Sequence, residues 1–307
     1  MLKTSQKTLN EPVELKGVGL HNGLGVNLLL KPSDVNTGIK FKRVDLDENN
    51  IIDANYNNVT SPVLCTKIEN KNKISVSTIE HLMAAFYGEG IDNVLVEIDA
   101  PEIPIMDGSS VDFVEAIRSA GIKDQKLDKK FIKVLKKVEL KNGTKHISIE
   151  PLENDLIIDF EIVYKNPLIR TRRKAFRLSD GDLNSIYNSR TFCLYEDIDQ
   201  IRSLGLARGG SLENAIVVQE NEILNKDGLR NRHEFVGHKI LDCLGDLMLS
   251  GHRIFGHIKT SQGGHQLTND LLRKLLSDKS NWEFVSYKDE KKDTKDNTFV
   301  SPVAVSA

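Results

Sequence analysis

Apolar and polar positions alternate along this chain in blocks that recur. Residues 79–86 form a helix-like run ending near Gly88. A Val/Ile-bearing strand follows over 93–98, then the glycine turn Met106-Asp-Gly-Ser109, then a helix over 111–120. Further on, a helical run over 234–249 ends at Gly251. It is followed by a strand over 253–259, the turn Gly263-Gly264 and a helix over 269–276. Strands over 26–30 and 73–76 precede the first block, and strands over 132–140 and 146–149 precede the second. The recurrence predicts an α+β protein of two similar domains, each a sheet layered with helices. That order is common among α+β proteins, so the repeat alone establishes little more.

The divisions follow from composition. Residues 1–125 form the first domain and 126–280 the second, joined through Lys123-Asp-Gln-Lys-Leu-Asp-Lys-Lys130, which reads as a solvated linker. Residues 281–307 read as a flexible tail, with an apolar patch over 299–305 able to dock.

Length and charge then narrow the function. The 307 residues can build a substantial core, and 39% hydrophobic with 28% charged is neither a disordered nor a membrane composition. A net charge of −2 lacks the basic excess of a nucleic-acid binder, so no nucleic-acid partner is expected. No apolar run approaches the ~18 residues of a membrane span, leaving peripheral membrane contact at most. The first residues lack the apolar core of a signal peptide. Cys65, Cys193 and Cys243 are far apart and form no CxxC pair, as expected of reduced thiols in a cytoplasmic protein.

The strongest local chemistry lies in His238-Lys-Ile-Leu-Asp242. On a helix, His238 and Asp242 share one face a turn apart, with Asp246 a turn further. Such a pair can hold a divalent metal, and a His/Asp set favours zinc. The same spacing also suits an ordinary helix with a His–Asp hydrogen bond on a solvated stripe. In Ser77-Thr-Ile-Glu-His-Leu82, Glu80 fits a capping box with Ser77. Alternatively, His81 is a third ligand and Glu80 a general base. His265, after Gly263-Gly264, is either part of a plain turn or a functional group, an acid–base residue or a stabiliser of the oxyanion, whose tautomer Asp246 holds. Thr191 is either a cap or an oxyanion donor. His21, in a turn-rich segment, reads as structural, Cys65 as a small buried residue, and the basic run 170–174 as a solvated face.

Considered together, the motifs resemble the UDP-3-O-acyl-N-acetylglucosamine deacetylases, the zinc amidases that commit a precursor to lipid A synthesis. The resemblance runs from Gly17-Val-Gly-Leu-His-Asn-Gly23 through Ile74-Ser-Val-Ser-Thr-Ile-Glu-His-Leu82 and Gly90-Ile-Asp-Asn93. It continues through Ala100-Pro-Glu-Ile-Pro-Ile-Met-Asp-Gly-Ser109, Ser189-Arg-Thr-Phe192, and Leu204-Gly-Leu-Ala207 with Gly209-Gly-Ser211. Asn214-Ala-Ile-Val-Val218, Glu234-Phe-Val-Gly-His-Lys-Ile-Leu-Asp242, Gly245-Asp246 and Gly264-His265 complete it. It implies His81, His238 and Asp242 as ligands of Zn2+, with Fe2+ as an alternative occupant. It also implies Glu80 as the base, His265 oriented by Asp246 as the second catalytic group, and Thr191 as oxyanion donor. Lys239 would face the substrate, a UDP-acylglucosamine.

The implied fold has the active site at the junction of the two domains, with an insert in each, here near 61–73 and 191–218. The second insert would form an apolar passage for the acyl chain. Phe192, Ile198, Ala207 and Ala215 would line it, and Leu64 and Cys65 of the first insert would lie beside the substrate. A monomer is expected. Two positions depart from the family pattern: Cys193 replaces a usual glycine, and Thr268 a usual asparagine.

Overall fold

The computed structural model describes residues 4–60, 64–286 and 303–304. In the first half, five strands form one sheet in the order Val13–Val18, Gly25–Pro32, Val94–Ile98, Ile39–Arg43, Ile51–Asp53. The central strand runs antiparallel to Gly25–Pro32 and parallel to Ile39–Arg43. Alternation sets the register: Val26, Leu28 and Leu30 are buried, whereas Asn27 is exposed. Helices α1 (Glu80–Glu89) and α2 (Val111–Ala120) belong to this half.

Helix α1 has eight of its ten residues buried, so its pattern shows no clean stripe. It ends at Gly90, in the left-handed region at φ 85°, rather than near Gly88. Gly88 serves a different need: a Cβ there would sit 1.8 Å from the Tyr187 hydroxyl.

In the second half, strand Arg253–Ser261 is the spine of an eight-stranded sheet. It pairs antiparallel with Lys145–Glu150 and parallel with Leu156–Ile162 and Phe131–Val134. Two short helices, α3 (Leu183–Tyr187) and α4 (Ile198–Ser203), precede the long α5 (Glu234–Met248) and then α6 (His265–Ser277). Helices α1 and α5 pack at Gly245, where a Cβ would meet the Glu80 carbonyl oxygen at 2.0 Å. One hydrophobic core runs through both halves, from Leu28 and Phe41 to Ile147 and Ile258. The architecture is α+β, as the pattern predicts.

Several spans differ from expectation. The supposed linker is strand Ile122–Asp128, paired antiparallel with Ser5–Leu9. Its side chains are largely exposed, so the ladder rests on main-chain bonds and leaves no apolar signature. Lys129 beside it is buried, 2.7 Å from Asp92. The strand expected over 132–140 is two, Phe131–Val134 and Val138–Asn142. The one expected over 73–76 is only Ser75–Val76, paired with Ile68–Glu69.

The span 281–307, expected to be a flexible tail, contains strand Trp282–Ser286, antiparallel to Phe131–Val134. Val303–Ala304 pairs with it in turn. Of the first insert, residues 61–63 lie outside the described residues. The second carries α4 and a small sheet of Phe192–Leu194, Ile216–Gln219 and Glu222–Ile223.

Candidate functional site

Helix α1 brings Glu80 and His81 inward at its first turn. Ser77 forms no capping box: its hydroxyl donates to the Pro101 carbonyl at 3.3 Å, and α1 has no side-chain cap. The chain enters the helix through Thr78, held at φ 57°, a strained region for a β-branched residue. Buried Glu102 braces that entry. It accepts the Thr78 hydroxyl at 2.9 Å and the backbone N–H groups of His21 and Asn22, both at 2.8 Å. Glu80 is thereby freed from capping, and its Oε2 accepts the Thr66 N–H at 3.0 Å.

Opposite, α5 presents His238, Asp242 and Asp246, all at 5% exposure or less. That burial excludes a solvated stripe. His238 Nδ1 lies 3.0 Å from the Ser189 carbonyl, which fixes Nδ1 as the protonated nitrogen and directs Nε2 inward. Asp242 Oδ1 lies 3.4 Å from His238 Nε2 and 3.6 Å from His81 Nε2. Among the described residues it is a buried oxygen with no hydrogen-bond partner, so the i,i+4 hydrogen bond is not made either.

The potential ligand atoms of His81, His238 and Asp242 all lie within 4.8 Å of one another. Ligands ~2.0–2.1 Å from a tetrahedral ion stand about 3.3 Å apart, so the set fits a metal. Its protonation fits too. Burial pushes His238 down to about 3, keeping it neutral. Burial opposes charge on Asp242, but the Lys239 ammonium beside it helps hold the carboxyl well below its usual range. Neutral imidazole and ionised carboxylate are the ligating forms.

Beside this set stand the acid–base candidates. Helix α6 begins at His265, four residues before the expected start. The His265 ring reaches Asp246 Oδ2 with Nδ1 at 2.8 Å and faces Glu80 Oε1 with Nε2 at 3.6 Å. Burial disfavours its charge, but Asp246 and Glu80 overcome that and push it up to about 10. Burial also raises Glu80, against the pull of His265. Thr66 completes the group, its hydroxyl 2.5 Å from Asp246 Oδ1.

A cavity of about 500 Å³ opens onto His265. Thr191, Phe192, Leu194, Ile201 and Ala207 line it, together with Leu64 and Lys239 among others. Lys239 Nζ sits 2.9 Å from Asp242 Oδ2 and 5.6 Å from the centre of the Phe192 ring. Phe192 packs edge-on against Phe235 and Tyr164. Cys65, Ile198 and Ala215 do not line the cavity. Cys65 is 8% exposed, α4 presents Ile201 instead of Ile198, and Ala215 leads into a strand whose Ile216, Val217 and Val218 are buried. Arg173 of the basic run pairs with Asp159 on the edge of the second sheet, away from the cavity.

Four of the lining residues that escaped sequence reasoning are Asn142, Lys145, Tyr164 and Gln262. Each sits at a strand end or in a loop, where no periodicity marks it. His21, read as structural, also lines the cavity, and its neighbouring glycines were the available signal.

A buried two-histidine, one-aspartate pocket flanked by a carboxylate and a His–Asp pair defines a metal-dependent hydrolase. The sequence profile of the UDP-3-O-acyl N-acetylglycosamine deacetylase family matches residues 6–277, and the chain belongs to that family. The UDP-3-O-acyl-N-acetylglucosamine deacetylase of Idiomarina loihiensis is 44% identical over 98% of this chain and 99% of its own length. Proteins of the same name from Pasteurella multocida and Haemophilus ducreyi are 43% and 42% identical. The matches cover 93% and 92% of this chain, and 94% of each relative.

Proposed function

We propose that this chain hydrolyses the N-acetyl group of UDP-3-O-(3-hydroxyacyl)-N-acetylglucosamine, releasing acetate and the free amine in lipid A biosynthesis. The observation that carries the reading is the buried, partnerless Asp242 Oδ1 facing two histidines, with Glu80 and His265 alongside. His81, His238 and Asp242 would hold a zinc ion, and the same ligands accept iron(II). Such an ion, when bound, supplies Lewis acidity toward the amide carbonyl and the attacking water.

The chain's own groups do the rest. Glu80, its Oε2 held by the Thr66 N–H, takes the proton of the attacking water at Oε1. Its raised pKa suits it to hold that proton. Thr191, anchored by its N–H to the Gly108 carbonyl at 2.8 Å, donates its hydroxyl to the developing oxyanion. His265, cationic through Asp246 and Glu80, delivers a proton from Nε2 to the leaving amine. Lys239 faces the substrate from the cavity wall, and the apolar stretch of Phe192, Leu194, Ile201 and Ala207 receives the acyl chain.

We read the protein as a cytoplasmic monomer of two units, 1–125 and 126–280. Among the described residues all three cysteines are free, which suits a reducing compartment, and no helix is long and apolar enough to cross a membrane. The test is acetate release from the UDP-acylglucosamine, with and without a chelator, in the parent, His238→Ala and Asp242→Ala. Both variants should lose bound metal and turnover together. Full turnover in a metal-depleted protein would overturn the reading.

A further inference from the structure

We infer that Thr66 is a positioning residue that aligns both acid–base groups of the site at once. The inference rests on the deacetylase reading above and assigns a role to a residue outside its ligand and acid–base set. Thr66 is 1% exposed, and burying a hydroxyl is costly unless it is bonded. Its backbone N–H donates to Glu80 Oε2 at 3.0 Å. Its Oγ1 lies 2.5 Å from Asp246 Oδ1 and 3.0 Å from His265 Nδ1. The other Asp246 oxygen, Oδ2, lies 2.8 Å from the same ring nitrogen.

Proton counting fixes the directions. A hydroxyl has one hydrogen, and an ionised carboxylate only accepts, so Thr66 donates to Asp246 Oδ1. Oγ1 then faces Nδ1 with a lone pair, and the Nδ1–H is shared between Asp246 Oδ2 and Thr66 Oγ1. The three groups close a small ring in which neither the carboxylate nor the imidazole can turn without breaking a bond. Nε2 is thereby held toward Glu80 Oε1, while the main chain of the same residue fixes Oε2 of that carboxylate. One threonine thus sets the position of Glu80 through its backbone and of His265 through its side chain.

The competing account is that Thr66 only fills space, and substitution separates the two. Thr66→Val keeps the shape and the N–H but removes the hydroxyl; Thr66→Ser keeps the hydroxyl and removes the methyl. A hydrogen bond to a charged group is lost in the valine variant. Its kcat for acetate release should fall about ten- to hundredfold, with KM and bound metal near parent values. The serine variant should keep most of the parent kcat.

A readout independent of turnover is the His265 Nδ1–H resonance in metal-free, 15N-histidine-labelled protein. It should exchange with solvent faster in Thr66→Val than in the parent or Thr66→Ser. Should Thr66→Val fail to fold, Thr66→Ala enters the same assays with the same expectation. Parent-like kcat and Nδ1–H exchange without the hydroxyl overturn the inference, as does a serine variant as impaired as the valine one. If the parent itself releases no acetate, the functional reading fails instead, and the exchange comparison still decides the positioning role.

Discussion

Glu80 shows how one residue can satisfy a structural motif in sequence and refuse it in three dimensions. Its spacing from Ser77 fits a capping box, yet Ser77 bonds Pro101 and the Glu80 side chain points into the site. The helix forgoes its cap because Glu102 steadies the entry through Thr78. Glu80→Gln preserves an acceptor for the Thr66 N–H and removes the base. It should keep its metal and thermal stability while kcat falls ~10²–10⁴-fold. Metal analysis and acetate release on the same sample check this; near-parent turnover in a metal-replete variant would remove Glu80 from the mechanism.

Elements with one buried face were readable from the sequence. Strand Val94–Ile98 and helix α2 lie nearly where alternation and spacing put them, and α5 was legible through its apolar run. The ribbon of Ser5–Leu9 with Ile122–Asp128 was not, because backbone pairing can hold a strand whose side chains stay in water. The site divides in the same way. His238 and Asp242 declare themselves by helical spacing, whereas Thr66, Tyr164 and Gln262 meet it only through tertiary packing. The cavity wall needed the fold to resolve it: Ala207 lies on it and Ala215 does not. Ala207→Trp should narrow the cavity and lower kcat/KM for a long-acyl substrate at least tenfold more than for a short-acyl analogue, since each buried methylene contributes about 0.8 kcal/mol. Equal losses on both substrates would indicate misfolding or a wrong wall.

At the scale of the whole molecule, the two halves share one core, and charges are buried where they join. Lys129, 5% exposed, contacts Asp92 at 2.7 Å and the Gly90 carbonyl at 2.8 Å. Burial, reinforced by Arg253, pushes it down to about 7 against the pull of Asp92. Between about pH 7 and 10.5 the unfolded chain therefore binds more protons at this site than the folded one, so stability rises with pH across that window. Denaturant unfolding at pH 7 and 9 should show Lys129→Met losing part of that rise, on the order of 1–2 kcal/mol. An identical slope in both proteins would mean that Lys129 stays charged through its ion pair.

The ribbon between Ser5–Leu9 and Ile122–Asp128 also determines how the chain could be divided. A cut between Gly121 and Ile122 would put Thr66, Glu80 and His81 on one piece and His238, Asp242, Asp246 and His265 on the other. Each piece would keep one strand of the ribbon, a complementary end for finding its counterpart. Expressed separately, both should be inert. Mixed, they should recover acetate release with a second-order dependence on concentration, which would make the enzyme a split reporter for proximity. Activity in either piece alone would show that catalysis does not need both halves.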